Sequence, residues 1–411
     1  MVNGASHAGA QSCNHRRQCS CAGNRLSLSI FTRATGSGWN RIQSVIDAKA
    51  CDLFTPERRP NQHDLASQSD DIVRPGPLHR SDDGDPYANE SVAAIIQRYV
   101  GIARPDHWIK NIFLIPGFAA ALAVLPGEWK AGAAPLLIAL LAGLVSLCLS
   151  ASANYTINEY LDAPYDRFHP VKNQRPGALG LLDGRIVWLQ YTALVAVSLA
   201  IAATLNLPFL VTTVLLLVMG IAYNVPPLRT KDKAYLDTLS ESINNPLRFL
   251  LGWFVVAPTA LPPSSVLLAY WMGGAYLMGV KRYSEYRSIA DAARAALYRR
   301  SFEHYTEQRL LLSSFFYALC SMFFLAVFLI KYRIEFLLLT PLIAALFTWY
   351  LAIGARHESA AQAPEKLYRE FAFMIFAGLT FLIGVALFFV DLPFVRVLME
   401  PHILRVGGGT P

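Results

Sequence analysis

The sequence predicts an all-α polytopic membrane protein, a bundle of nine transmembrane helices. Three observations carry that expectation. Of the 411 residues, 54% are hydrophobic and only 16% are charged, against about 25% charged in an ordinary soluble domain. The apolar residues gather in long runs between positions 111 and 391, and a helix needs about 20 of them to cross a bilayer. Loops rich in Lys and Arg separate alternate runs, as cytosolic loops do.

Residues 1–95 are polar, with recurrent Gly, Ser, Pro, Asp and Asn. They hold no apolar run of signal-peptide length and read as a disordered leader. Cys13, Cys19, Cys21 and Cys51 lie there, in no common zinc spacing. Cys148 and Cys320 sit inside apolar runs and read as small hydrophobes. The membrane domain is expected over 96–395 and a short tail over 396–411. Its spans are expected near 111–126, 134–157, 186–204, 207–223, 239–257, 264–282, 310–330, 335–353 and 371–391. The third and fourth must form a hairpin, because Asn206, Leu207 and Pro208 split the run.

Charge fixes the orientation. Arg98, Arg104 and Lys110 precede the first span, and Arg167, Lys172, Arg175 and Arg185 follow the second. Arg229, Lys231 and Lys233 follow the fourth, five arginines from Arg287 to Arg309 follow the sixth, and Arg356, Lys366 and Arg369 follow the eighth. The other loops hold few cations. The positive-inside rule then puts the N-terminus in the cytosol and the C-terminus outside. The net charge of +7 is thus spent on topology. No basic groove or stacking motif points to nucleic acid, and no protein partner is implied.

Three clusters carry chemistry. The first ends the second span: Asn158, Glu159, Asp162 and Asp166, followed by His169, Lys172 and Arg175. Asn158 and Asp162 are four apart and share a helix face. Pro164 is poorly tolerated in a helix, so the chain is expected to loosen there and fold Asp166 back toward Asp162. Clustered carboxylates repel unless a cation neutralises them, and an oxygen-only set suits Mg²⁺. His169, Lys172 and Arg175 are then candidates for phosphate contact. A solvated acidic and basic loop is the plainer alternative.

The second cluster opens the fifth span: Asp237, Glu241, Asn244 and Arg248. Asp237 and Glu241 repeat the four-residue spacing, and Asn244 and Arg248 share a face. Arg248 lies about 16 Å along the helix from Asp237, at about 1.5 Å per residue. A charge that deep faces the bundle interior or a wet cavity. Pro246 would free a carbonyl near Ser242. The third cluster leaves the sixth span with Lys281, Arg282 and Glu285. Lys281 and Glu285 have ordinary ion-pair spacing, and phosphate contact is the sharper reading, as it is for Arg104 and Lys110.

These motifs, in this order, resemble the UbiA superfamily of intramembrane prenyltransferases. Asn158, Asp162 and Asp166 match its first acidic signature, with Glu159 in place of an Asp. Tyr223 to Arg229 resembles the loop before its second signature, and Asp237 with Glu241 resembles that signature, again with Glu for Asp. Arg104, Trp108, Lys110 and Asn111, with Lys281, Arg282, Tyr283, Glu285 and the run Glu303 to Thr306, look like the branch that acts on decaprenyl phosphate. Ser240 to Asn245 is more polar than that branch usually is.

The resemblance implies a nine-helix transferase that binds a Mg²⁺-bound, diphosphate-activated donor and a polyprenyl lipid. Asp162, Asp166 and Asp237 would be catalytic, with Asn158, Glu159 and Glu241 completing the metal ligands. Arg104, Lys110, His169, Lys172, Arg175, Asn244, Arg248, Lys281, Arg282 and Glu285 would bind substrate. The favoured reaction moves phosphoribose from phosphoribosyl diphosphate to a polyprenyl phosphate. Prenyl transfer to an aromatic acceptor is the alternative. A transporter fits less well, since transporters place ionisable residues near the midplane and these acids lie at helix ends.

Overall fold

The computed structural model describes residues 91–399, apart from 126, 128–131, 170, 333, 357–358 and 363. All regular structure among these residues is helical. The expected leader lies outside them except at its end, where α1 (Val92–Ala103) begins. Ser91 caps α1 by accepting the Ala94 N–H at 3.3 Å. Arg104 closes it in the left-handed conformation, with φ of 50°.

A 3₁₀ segment, Pro105–Leu114, leads into α2 (Ile115–Val124). Together Val92–Val124 are long and apolar enough to cross a membrane. The first span therefore starts earlier than residue 111. Pro105 and Pro116 stand at the starts of helical segments, where no N–H is needed and the chain continues past them.

Helix α3 (Ala133–Asp166) runs unbroken for 34 residues, about 51 Å at about 1.5 Å per residue. That exceeds the roughly 30 Å hydrocarbon slab, so its polar last turns stand clear of the apolar region. The expected loosening at Pro164 does not occur, because Pro164 lies in the last turn, where a missing hydrogen bond disturbs few residues. Helices α4 (Gly184–Leu205) and α5 (Leu207–Asn224) form the expected hairpin. Asn206 sets it: its Oδ1 accepts the Phe209 N–H at 2.8 Å and its Nδ2 donates to the Phe254 carbonyl at 2.9 Å.

The fifth expected span is two helices, α6 (Leu236–Ser242) and α7 (Asn244–Val256). The break follows from Pro246, which has no N–H for the Ser242 carbonyl. Next come α8 (Ser264–Ile289), α9 (Ala292–Tyr298), α10 (Glu307–Tyr332), α11 (Thr340–Gly354), α12 (Phe371–Phe389) and α13 (Pro393–Met399). Each expected span falls on helix, but only six segments among the described residues are long and apolar enough to cross by themselves. The fifth is broken, the sixth carries polar residues into the site, and the ninth offers the shorter apolar stretch Phe371–Leu387.

Two glycines fix the crossing that matters most for the site. A Cβ on Gly117 of α2 would meet the Phe249 carbonyl oxygen at 1.9 Å, and one on Gly252 of α7 would meet the Leu114 oxygen at 2.0 Å. Small residues at such a crossing let two backbones touch. The contact brings Asn111 beside Arg248. Hydroxyls join α3 to α4, where Ser150 and Ser198 lie 2.6 Å apart. Phe209, Phe249, Leu251 and Trp253 fill the adjoining core. Large apolar side chains such as Leu189 and Phe371 face outward, 71% and 73% exposed, as lipid-facing residues do.

Candidate active site

The polar ends of α3, α5, α6 and α8 meet, with the segment from α9 to α10 laid against them. Tyr223 and Asn224, adjacent at the end of α5, link the two acidic helices. Asn224 Oδ1 accepts from Asn158 Nδ2 at 3.2 Å on the α3 side. Tyr223 donates its hydroxyl to Glu241 at 2.7 Å on the α6 side. Adjacent residues of a helix point in different directions, which is why one turn can serve both partners.

Every carboxylate here has its own cation. Asp162 pairs with Lys231 and, at 3.0 Å, with Arg229. Asp166 pairs with Arg175 at 2.7 Å. Glu159 is buried and held by Arg104. Glu285 accepts from Arg282 at 2.7 Å and pairs with Lys172 at 3.2 Å. Lys172 also touches the Tyr298 hydroxyl. Glu241 pairs with Arg282 at 2.9 Å.

Asp237 is fully buried. Its Oδ1 accepts from Tyr305 at 2.8 Å and its Oδ2 from Ser301 at 3.1 Å. Arg282 and Arg299 stand 3.5 Å and 3.7 Å away. The second acid is thus bound to the segment that covers it.

The loop residues have shifted protonation. Burial draws the Lys231 ammonium down to about 8 although Asp162 opposes it. Burial and the neighbouring Lys172 push the His169 imidazole down to about 4. Its geometry agrees: Nδ1 accepts the backbone N–H groups of Val171 and Lys172 at 3.1 Å and 3.2 Å. His169 therefore shapes the loop as a neutral acceptor. Burial also opposes the Lys172 charge, but Glu285 and Tyr298 outweigh it and the ammonium sits above its usual value.

Four expected residues remain. Arg248 Nε donates to Asn111 Oδ1 and its NH1 to Asn245 Oδ1, both at 3.3 Å. Asn244 Oδ1 is buried without a hydrogen bond. Lys110 lies 3.3 Å from His107 Nδ1. Lys281 stands near Glu285 and Glu241.

A membrane-embedded cluster of paired acids and cations at helix ends suits a polyanionic ligand, and comparison with known proteins says which kind of protein builds it. The pattern of the UbiA prenyltransferase family matches residues 113–379. The chain belongs to this family. The decaprenyl-phosphate phosphoribosyltransferase of Mycobacterium tuberculosis H37Rv is 32% identical over 218 residues, covering 52% of this chain and 68% of that protein. The enzyme of the same name from Mycolicibacterium smegmatis is 28% identical over 235 residues, covering 56% and 70%. The structure of a UbiA homolog from Archaeoglobus fulgidus bound to GPP and Mg²⁺ superposes with a TM-score of 0.53. It is 24% identical, over 71% of this chain and all of that one, and shows the shared fold.

In this UbiA family member most of the sequence-based set falls into three groups, with Arg104 on Glu159, Lys110 beside His107 and Lys281 near Glu285. Asn158, Glu159, Asp162, Asp166, His169, Lys172 and Arg175 gather around the end of α3. Asp237, Glu241, Arg282 and Glu285 gather around α6 and α8. Asn244 and Arg248 lie farther into the bundle. Lys231, Arg229, Tyr223, Asn224, Arg299, Ser301 and Tyr305 complete the site but were not among the expected site residues. Tyr223 to Arg229 carried a signal as the loop resembling a family motif. Arg299 was counted only for topology, and no spacing ties it or Tyr305 to Asp237.

Proposed function

We propose that this protein transfers phosphoribose from phosphoribosyl diphosphate to a polyprenyl phosphate at the cytosolic face of a bacterial inner membrane. The observation that carries the reading is the surplus of cations. Arg104, Lys172, Arg175, Arg229, Lys231, Arg282 and Arg299 equal in number the carboxylates with which they pair, Asp232 included, and Lys281 and Arg248, which form no such pair among the described residues, tip the balance to the positive. A site of that sign suits two phosphate-bearing substrates. The relatives named for this reaction support it, as does the basic loop pattern for the orientation.

The oxygen-only donors fit Mg²⁺ in kind. Among the described residues no three carboxylate, His or Cys side chains converge as they stand, since each acid is neutralised by a neighbouring Lys or Arg. Asp162, Asp166 and Asp237 would hold the ion, with Asn158 and Glu241 assisting. Glu159 fits least, being buried under Arg104. Bound Mg²⁺ would neutralise charge on the diphosphate leaving group.

The protein's own residues do the rest. Lys231 and Arg229 hold Asp162 ionised until a ligand arrives, then become available to phosphate. Lys172 and Arg175 bind and orient the donor phosphates. The covering residues Tyr298, Arg299 and Tyr305 keep water from the reacting carbon. An oxygen of the lipid phosphate forms a bond to C1 of the ribose as the C1–diphosphate bond breaks, and diphosphate leaves with that electron pair.

The test offers purified protein radiolabelled phosphoribosyl diphosphate with polyprenyl phosphate, and separately a labelled prenyl diphosphate with aromatic acceptors. The expected result is label in the lipid in the first arm, dependent on Mg²⁺. Product in the aromatic arm alone would reject the proposal in favour of aromatic prenylation.

A further inference from the structure

The cations at the end of α3 all have carboxylate partners, but two cations farther along the bundle do not. Arg248 donates only to the neutral amides of Asn111 and Asn245, and no carboxylate among the described residues pairs with it. Lys281 forms no hydrogen bond or ion pair among them. An unneutralised guanidinium inside an apolar bundle is costly, and so is an orphaned amide such as that of Asn244.

The two cations flank one contact. A Cβ on Gly274 of α8 would meet Asn245 Nδ2 at 2.0 Å, so α7 and α8 touch there. Lys281 is two turns along α8 from Gly274 and on the same face, and Arg248 is one turn along α7 from Asn245. Consecutive helices joined by a short link run antiparallel, so the two residues lie on opposite sides of the contact, about 15 Å apart along the axes. Both side chains are long enough to lean toward the gap between them. The Glu241 carboxylate stands just before the break between α6 and α7 and is the acid nearest in sequence to Asn245. That carboxylate is already taken by Arg282 and Tyr223, so it does not neutralise either one.

We propose that Lys281 and Arg248 bind the phosphate monoester of the acceptor lipid, at a subsite distinct from the donor phosphates beside Asp162 and Lys172. The assignment rests on the reading of the acceptor as a lipid phosphate. A lipid enters from the bilayer with its tail among apolar helices, and its phosphate must then be met by cations set back from the helix ends. A sugar diphosphate enters from water and meets the basic loops first. The Asn244 amide, turned about its last bond, offers N–H groups to the same anion.

The experiment measures binding to the full chain in nanodiscs, using farnesyl phosphate, farnesol and inorganic phosphate as probes. Mg²⁺ with phosphoribosyl diphosphate is measured alongside. The variants are Arg248→Gln and Lys281→Gln, with Lys281→Arg as the conservative control. Lys281 has no hydrogen bond to lose, so its variant tests the subsite even if Arg248→Gln weakens the fold. The expected result is that farnesyl phosphate binds about tenfold or more weakly to each Gln variant, the loss of one charge-assisted contact. Lys281→Arg restores binding, while farnesol and donor binding stay unchanged.

Wild-type affinity for farnesyl phosphate in both Gln variants would overturn the subsite and leave the reaction standing. Equal weakening of the donor would move both residues to the donor site and overturn it too. Inorganic phosphate competing as well as the lipid would assign the pair to a free anion. A wild-type protein that ignores farnesyl phosphate but prenylates an aromatic acceptor would fail the reaction itself, and the subsite with it.

Discussion

The two acidic motifs look alike in sequence and differ in how they are held. Asp162 ends a long helix, with 18% of its side chain exposed, and its cationic partners come from one loop. Asp237 opens a broken helix, is fully buried, and is bound by hydroxyls and guanidiniums from α8 and the covering segment. Each partner of Asp162 has another acceptor in reserve. Lys231 also reaches Asn224 Oδ1 at 2.9 Å, and Arg229 reaches Asp232 at 3.0 Å and the Asn224 carbonyl at 3.1 Å. The first acid can therefore change partners cheaply, whereas the second is part of what keeps the cover in place.

The sharpest way to break that contrast is to neutralise each acid in turn. Asp237→Asn should lower stability by about 3 kcal/mol, because it removes a buried charge facing Arg282 and Arg299 and leaves a hydroxyl without its acceptor. Asp162→Asn should cost less, about 1–2 kcal/mol, because buried Lys231 and Arg229 keep other acceptors when its charge is lost. Both should lose Mg²⁺-dependent turnover, on the order of a hundredfold or more if they hold the ion. Unfolding of the detergent-solubilised variants and a turnover assay separate the two quantities. Equal stability loss in both would erase the distinction, and full turnover in Asp162→Asn would remove the metal role.

His169 gives the next effect, through pH. Its folded value is about 4 against an ordinary 6.5, so the unfolded chain binds the extra proton first as pH falls. Stability from this group is full above pH 6.5 and is lost progressively down to pH 4, by at most about 3 kcal/mol. Unfolding followed from pH 7 to pH 4 should show that loss, and His169→Asn, which keeps an acceptor near the Nδ1 position, should flatten it. An unchanged acid limb in the variant would mean other groups carry it.

Much of this architecture was legible in the sequence for physical reasons. A bilayer forces long apolar runs, and charge forces basic loops, so the segment positions follow from composition alone. Asn206 was legible because a hairpin needs a cap, and Asp237 with Glu241 because four residues make one helix face. The partners were not legible. Lys231, Arg299 and Tyr305 come from loops whose spacing carries no period, and only packing brings them to the acids. The first span began earlier than its apolar run because a proline at a helix start does not end the chain's helical course.

The two prolines give the smallest test, and the one closest to the comparison. Pro164 lies in the last turn of α3 and leaves it continuous, while Pro246 lies just past the break between α6 and α7. Pro164→Ala should then change stability by less than about 1 kcal/mol, since it restores a single hydrogen bond at a helix end. Pro246→Ala supplies an N–H to the Ser242 carbonyl and favours one continuous helix. Joining α6 to α7 would rotate Asp237 and Glu241 relative to Arg248, so turnover should fall by about tenfold while the chain still folds. If the two variants are equally active, the break is not what positions the second motif, and the hydroxyls of Ser301 and Tyr305 hold Asp237 in place without it.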